Sequence, residues 1–416
     1  MADSTEWPQV AGPAFTDRPV HRDWLMDQAR GLISFFLPVS INPVGGFHVL
    51  DRAGRPLWPD STVRALHGTT RMVHCAAIAH MLGLPGADDA VDHGLKYIWQ
   101  RHRDNTNGGY FWGVGDGGAV DDSKQAYGHA FVLLAASSAK VAGHPDADRL
   151  LADVTGILQE RFWDAAAGAT TEEYHADWSP ISTYRGQNSN MHLTEALMAA
   201  FEATEEQHYL DKANSIAALI INRHARAQGW RVAEHFDAAW TVDRGYSGDP
   251  MLRPAGVTPG HALEWARLLI QLWELGGRAA DWMPVAAREL FLTACRTGWD
   301  AANGGFYYTL DWDDRPIVRD RYWWPCCEGI AAASTLYRAT GDAVFEGWYR
   351  RIWGFTNRYF LDRECGGWIP ELDDTLAPSQ TVFTGKPDLY HALQACLIPL
   401  YPADGSVTRQ IARSFD

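Results

Sequence analysis

Apolar residues recur every three to four positions through most of this chain, in runs broken by clusters of glycine, proline, aspartate and asparagine. The pattern predicts helices at about residues 22–37, 62–83, 87–102, 123–142, 146–162, 189–204, 207–224, 260–276, 283–298, 323–339, 343–360 and 387–400. A second regularity runs through the breaks, where glycine is followed by an aromatic or small residue. It appears as Gly45-Gly46-Phe47, Gly108-Gly109-Tyr110, the degenerate Gly168-Ala169-Thr170, Gly229-Trp230, Gly304-Gly305-Phe306 and Gly366-Gly367-Trp368. The spacing is roughly 60 residues, the length of two helices and their loops. Short strand-like runs with a turn follow several copies, as in Phe47 to Leu50 before Asp51-Arg52-Ala53-Gly54.

Twelve helices then pair into six hairpins, each with a face to bury on its neighbours. Closed into a ring they form an all-α (α/α)6 barrel with short β-hairpins in its loops; an open solenoid satisfies the same period. No proline-rich, serine-rich or low-complexity linker divides the chain, so residues 1–416 read as one domain, with 1–20 as an extended N-terminal segment.

Composition narrows the partners. Thirty-six basic against 51 acidic residues leave a formal charge of -15, which argues against a nucleic-acid or anionic-membrane surface and leaves small neutral ligands open. Met1 to Val20 has no apolar signal core and no run reaches membrane-spanning length, so a cytoplasmic protein, monomeric or homodimeric, is expected. The six cysteines show no CxxC spacing and read as reduced thiols. Nineteen tryptophans exceed what an ordinary core requires, and aromatic faces often line carbohydrate sites.

Residues with chemistry fall on alternate helices. Arg71 is in the second, Tyr127 and His129 in the fourth, and Asn188, Asn190 and His192 open the sixth. His261 and Glu264 open the eighth, Trp324 and Glu328 lie in the tenth, and His391 lies in the first turns of the twelfth. Each of these helices follows a glycine-aromatic loop. A closed ring would point all six sets into one cleft, whereas the odd helices carry solvated faces such as Glu346, Tyr349, Arg350 and Arg351. His261 and Glu264, three apart in a helix, are expected to share a face, and His192 with Glu195 repeats that spacing. His74, His80, His93, His102 and His144 read as ordinary packed or surface histidines. No HExxH occurs, the order is His-x-x-Glu, and no matching glutamates are apparent on neighbouring inner helices, so chemistry without a metal or other cofactor is expected.

Five segments together resemble the N-acylglucosamine 2-epimerase superfamily. They are Thr70-Arg71-Met72-Val73-His74, Asp122-Ser123-Lys124-Gln125-Ala126-Tyr127, Arg185 to His192, Thr258-Pro259-Gly260-His261 with Glu264-Trp265, and Gly385-Lys386-Pro387-Asp388-Leu389-Tyr390-His391. Within that superfamily they look nearest to the aldose-ketose isomerases of mannose and sulfoquinovose. The resemblance implies an (α/α)6 barrel, His261 and His391 as catalytic histidines, and Glu264 as carboxylate partner of the first. It also implies Arg71, Tyr127, Asn188 and His192 as substrate contacts. Trp324 and Glu328 join them as candidate contacts. The sulfoquinovose branch carries glutamines near the last helix where this chain has Pro370 and Pro387, which favours a neutral monosaccharide.

The expected reaction interconverts D-mannose and D-fructose, with lyxose to xylulose as a side activity, through a cis-enediol. His391 would move the C2 proton to C1 while His261 handles ring opening, or the reverse, and Arg71 would stabilise the oxyanion. Sulfoquinovose isomerisation, 2-epimerisation of cellobiose or N-acyl sugars, glycoside hydrolysis by Glu264 and Glu328, and sugar binding without catalysis are the alternatives.

Overall fold

The computed structural model describes residues 10, 12–57 and 63–414. Six helices stand in an inner ring: α2 (Leu66–Met81), α4 (Ala126–Val141), α6 (Gln187–Thr204), α8 (Pro259–Leu275), α10 (Trp323–Thr340) and α12 (Leu389–Leu397). Each touches the next, and α12 touches α2, so the ring closes. The outer helices are α1 (Pro19–Ser40), α3 (Ala87–Tyr97), α5 (Ala147–Ile157), α7 (Gln207–Ala217), α9 (Trp282–Gly298) and α11 (Ala343–Tyr359). Outer α3, α5, α7, α9 and α11 each pack on the inner helix that precedes them, and α1 packs on α12. This is the (α/α)6 barrel rather than an open solenoid.

The two rings differ because their sequences do. In α4 all of Ala126 to Ala139 is buried, as befits a helix surrounded by protein. Alanines in α2, α4 and α10 bring neighbouring backbones close. The outer helices carry one apolar stripe: α3 buries Ala87, Ala90, Val91, Gly94 and Leu95 and leaves Asp88 and Asp89 exposed. Three of them, α3, α5 and α7, end in wide π turns, at Ile98–His102, Leu158–Phe162 and Ala218–Ala225.

The rim is a set of clasps. Arg64–Ala65, Lys124–Gln125, Arg185–Gly186 and Arg321–Tyr322, each just ahead of an inner helix, pair antiparallel with Gly113–Val114, Glu173–Tyr174, His235–Phe236 and Glu371–Leu372 of the following loop. A Val257–Leu310 bridge does this ahead of α8, and ahead of α12 the Lys386 N–H donates to the Leu50 carbonyl at 2.8 Å. Buried ion pairs fasten three clasps, Lys124 to Asp104 at 2.8 Å, Lys386 to Asp362 at 2.7 Å, and Arg321 to Asp300. The aspartates sit four residues before the glycine pairs. Those glycines lie in the left-handed region, Gly304 at φ 84° and Gly305 at φ 80°, and a Cβ on Gly305 would meet Phe355 at 2.6 Å. The repeated glycine-aromatic unit is therefore a backbone requirement of the rim.

Several expectations change in detail. The helix expected over 62–83 starts at Leu66, with residue 62 outside the described residues, and that over 123–142 starts at Ala126 because Lys124–Gln125 is a strand. Of the extended segment expected at 1–20, residues 1–9 and 11 lie outside the described residues; Phe15–Asp17 form a 3-10 turn and Pro19 opens α1. A thirteenth helix, α13 (Val407–Arg413), packs on α2 and α4, and the Ser406 N–H ahead of it donates to Glu202 at 2.9 Å. It was too short to show a period. All six cysteines are free, and no helix among the described residues is long and apolar enough to cross a membrane.

Candidate active site

A cleft of about 380 Å³ opens at the end of the barrel where the inner helices begin. Its walls follow the helical register. The second residue of α2, α4, α6 and α10 contributes His67, Tyr127, Asn188 and Trp324, and the sixth residue of α2, α6 and α8 contributes Arg71, His192 and Glu264 one turn deeper. His261 and His391 are the third residues of α8 and α12 and line the same cleft. Glycine is the second residue of α8 because a Cβ on Gly260 would collide with the Trp324 ring.

Two histidine-glutamate dyads flank that indole. The Trp324 ring lies 5.0 Å from His261 and 5.8 Å from His391, centroid to centroid. His261 Nδ1 lies 2.9 Å from both carboxylate oxygens of Glu234, and His391 Nδ1 lies 2.8 Å from Glu328 Oε1. Burial opposes both carboxylate charges. His261 nonetheless holds the Glu234 carboxyl below its ordinary value, and Arg267, with His391, does the same for Glu328. An ionised carboxylate at hydrogen-bond distance places the proton on Nδ1, so Nε2 is the basic nitrogen in each dyad. Gln187 fixes the first dyad further. Its Oε1 accepts from Trp265 Nε1 at 2.8 Å, so its amide nitrogen donates to Glu234 Oε2 at 2.8 Å.

Across the cleft Arg71 donates to Asp388 at 2.8 Å and to the Tyr127 hydroxyl at 2.9 Å, over the Phe131 and Tyr390 rings. Burial works against its charge, but Tyr127 and Asp388 outweigh burial and raise the guanidinium above its ordinary value. Burial likewise pushes the Tyr127 phenol up to about 12 and the His192 imidazole down to about 4. Both are neutral near pH 7.

Beneath the cleft lies a buried charge cluster. Arg267 reaches Glu328 at 3.2 Å, Glu195 at 3.3 Å and Glu264 at 3.8 Å, and Tyr390 donates to Glu195. Three carboxylates thus face one guanidinium. Burial and then the Glu328 charge raise the Glu264 carboxyl well above its ordinary value, while Arg267 keeps Glu195 low against burial. Of the three carboxyls, Glu264 is the one that burial and neighbouring charge push toward the neutral form. Both of its oxygens lack a hydrogen-bond partner, as do His192 Nδ1, Asn188 Oδ1, His67 Nδ1 and Arg71 Nε.

Of the residues singled out from sequence, His261, His391, Glu264, Arg71, Tyr127, Asn188, His192 and Trp324 line this cleft, and Glu328 stands behind His391. One pairing is corrected: the carboxylate on His261 is Glu234, not Glu264. His261 turns its Nδ1 to the rim loop that carries Glu234, whereas Glu264, one turn deeper on the same helix, lies beside Arg267. Two further corrections concern His129 and Asn190. His129 accepts from the Tyr110 N–H and Asn190 from the Thr170 N–H, so both pin rim loops instead of facing the cleft. The described tryptophans are also mostly architectural, since among the described residues only Trp323 and Trp324 of that type line the cleft.

The expectation that neighbouring inner helices offer no converging glutamates does not hold. Among the described residues, His192, Glu195 and Glu264, and also Glu264, Glu328 and His391, bring metal-ligand atoms within 4.8 Å of one another. Arg267 occupies the place of the balancing cation. Glu234, Asp388, Gln187 and Arg267 were not singled out from sequence. Glu234 had one available signal: its carbonyl accepts the N–H of the first residue of α6 just as that of Glu172 accepts the first of α4, so two glutamates share one rim position.

A family model described as N-acylglucosamine 2-epimerase matches residues 45–395. The D-mannose isomerase of Pseudomonas cannabina pv. alisalensis is 43% identical, covering 95% of this chain and 96% of that one. The D-mannose isomerase of Thermobifida fusca is 42% identical, covering 96% and 98%. A crystal structure of a D-mannose isomerase superposes with a TM-score of 0.86 at 33% identity, over 94% of this chain and 99% of the other.

Proposed function

We propose, from the premise that this chain belongs to the N-acylglucosamine 2-epimerase family and is a sugar isomerase, that its substrate pair is D-mannose and D-fructose. The observation that carries the reading is the unmet hydrogen bonding of the cleft. Buried polar atoms without partners are costly, yet here they gather on Glu264, His192, Asn188, His67 and Arg71 around two oriented imidazoles. A polyhydroxylated molecule of monosaccharide size supplies donors and acceptors to all of them at once.

The chemistry follows from the same groups. His391 Nε2 removes the proton from C2 of the opened aldose and returns it to C1 of the enediol, while His261 Nε2 passes protons between the ring oxygen and the carbonyl oxygens. The assignment of the two steps can be exchanged without changing the residues. Glu234 and Glu328 keep each imidazole in the Nδ1–H tautomer and stabilise its cationic form. Arg71 stands as a fixed charge for the enediolate oxygen, and the Glu264 carboxyl, pushed by burial toward its neutral form, hydrogen-bonds a sugar oxygen. Trp324 covers the sugar face and excludes water between the dyads.

An uncharged substrate suits the electrostatics. The cations that line the cleft, Arg64, Arg71 and Lys386, are engaged by Asp116, Asp388 and Asp362. Together with Pro370 and Pro387, this favours mannose over a sulfonated or phosphorylated sugar. Lyxose, which lacks the exocyclic carbon, fits as a slower substrate. Reprotonation at C2 from the opposite face would make the enzyme a 2-epimerase, and the presence of a base on either side of Trp324 is the observation in favour of that second reading. Purified enzyme treated with EDTA and incubated with D-mannose tests the choice by product NMR. Fructose is the expected product, at a rate unchanged by the chelator; glucose would establish epimerisation, and unchanged mannose would refute the proposal.

A further inference from the structure

His67 is the second residue of α2, the ring position held by Tyr127 in α4, Asn188 in α6 and Trp324 in α10. All four line the cleft. The family resemblance pointed to Tyr127 and Asn188, the alternation of the helices pointed to Trp324, and neither pointed to His67. The imidazole makes no hydrogen bond among the described residues, and its Nδ1 is shut away from solvent without a partner. Its orientation is nevertheless fixed. The ring stacks on Trp112 at 5.0 Å and 23°, and meets Tyr127 at 6.0 Å and 65°. Trp112 is itself held, because its carbonyl accepts the Leu66 N–H at 2.8 Å.

We propose that His67 is a specificity residue that reads one hydroxyl group of the bound sugar beyond the two carbons being isomerised. It stands about one helical turn ahead of Arg71 on α2 and against Tyr127, whereas the two dyads are grouped around Trp324. A ring locked by stacking and left with unmade hydrogen bonds is preorganised for a ligand and loses little freedom when it binds. A neutral imidazole has one donor and one acceptor, which matches a hydroxyl and gives no advantage to a phosphate. Burial first, and Arg71 second, hold His67 neutral by lowering its pKa to about 3.

The inference rests on the isomerase reading above, and the test separates the two. Rates for wild type, His67→Phe and His67→Asn are measured on whichever of mannose, glucose and lyxose the wild type turns over, and on the 3-, 4- and 6-deoxy forms of that sugar. Wild-type turnover of mannose tests the reading alone. His67→Phe keeps the stack on Trp112 and is expected to lose about tenfold in kcat/KM on the full sugar, mainly through KM, with that loss vanishing for one deoxy sugar. His67→Asn, which restores a polar atom near the Nδ1 position, should recover part of the loss and serves alone if the phenylalanine variant does not fold. An equal loss on every sugar, or no loss on any, overturns the proposal.

Discussion

The rim and the floor of the barrel use the same residue types to opposite ends. At the rim each histidine holds a carboxylate at hydrogen-bond distance on Nδ1, His261 with Glu234 at 2.9 Å and His391 with Glu328 at 2.8 Å, and lines the cleft. At the floor His192 lies 3.5 Å from Glu264 and 3.9 Å from Glu195, but those glutamates share Arg267, and the imidazole stays neutral. Proximity of an imidazole and a carboxylate therefore does not by itself make a base. What distinguishes the rim is a direct hydrogen bond between Nδ1 and a carboxylate at the edge of a cavity; what distinguishes the floor is burial of an imidazole whose carboxylate neighbours stand at 3.5 and 3.9 Å.

The sharpest way to break this comparison is at Arg267. Arg267→Met leaves Glu195 and Glu328 buried without their counter-charge and should cost about 3–5 kcal/mol of stability, read from chemical denaturation. Loss below about 1 kcal/mol would show that the floor is not an ionic cluster. Next are the rim histidines. His261→Ala and His391→Ala should each keep the fold by circular dichroism and lower kcat by at least about a hundredfold, and near-normal turnover in either removes that residue from the reaction. Glu234→Gln and Glu264→Gln then separate the carboxylate found on His261 from the one expected there. Glu234→Gln should lower kcat by about tenfold to a hundredfold through loss of the imidazolium partner. Glu264→Gln, replacing a carboxyl that burial pushes toward its neutral form, should leave the melting temperature within a few degrees of wild type while weakening turnover.

Much of this was legible in sequence, for reasons that show where it stopped. The inner helices announced themselves because a helix surrounded by protein is apolar on every face, and because the left-handed glycines of the rim cannot be replaced by other residues. His261 and His391 stood out as imidazoles in the first turns of such helices. Glu234 did not, because it lies 27 positions from its histidine, just ahead of a two-residue clasp with no period to read. Arg267 was hidden for a different reason: its partners Glu195 and Glu328 stand on the inner helices to either side of α8, 72 and 61 positions away. Glu264 was paired with His261 on helical spacing and on the family resemblance, and neither reveals that the His261 Nδ1 is met by Glu234 while Glu264 lies beside Arg267.

The smallest effects concern pH. Burial lowers His74, His129 and His192 to about 4 in the fold, from an ordinary 6.5. Unfolded chains therefore bind more protons between these values, so stability is complete above pH 6.5 and is lost as pH falls toward 4. Each histidine should contribute about 1–3 kcal/mol to that loss. Thermal melts from pH 7.5 to 4 check the slope, and His74→Gln, which keeps a partner for Ser138, should flatten it.

Transfer of the C2 hydrogen is the most direct test of two dyads acting on one sugar. With D-mannose deuterated at C2, the wild type should form fructose with a primary isotope effect, carrying part of the label at C1, and both histidine variants should leave the label on mannose. Fructose formed without an isotope effect and with equal speed in a histidine variant would contradict the account.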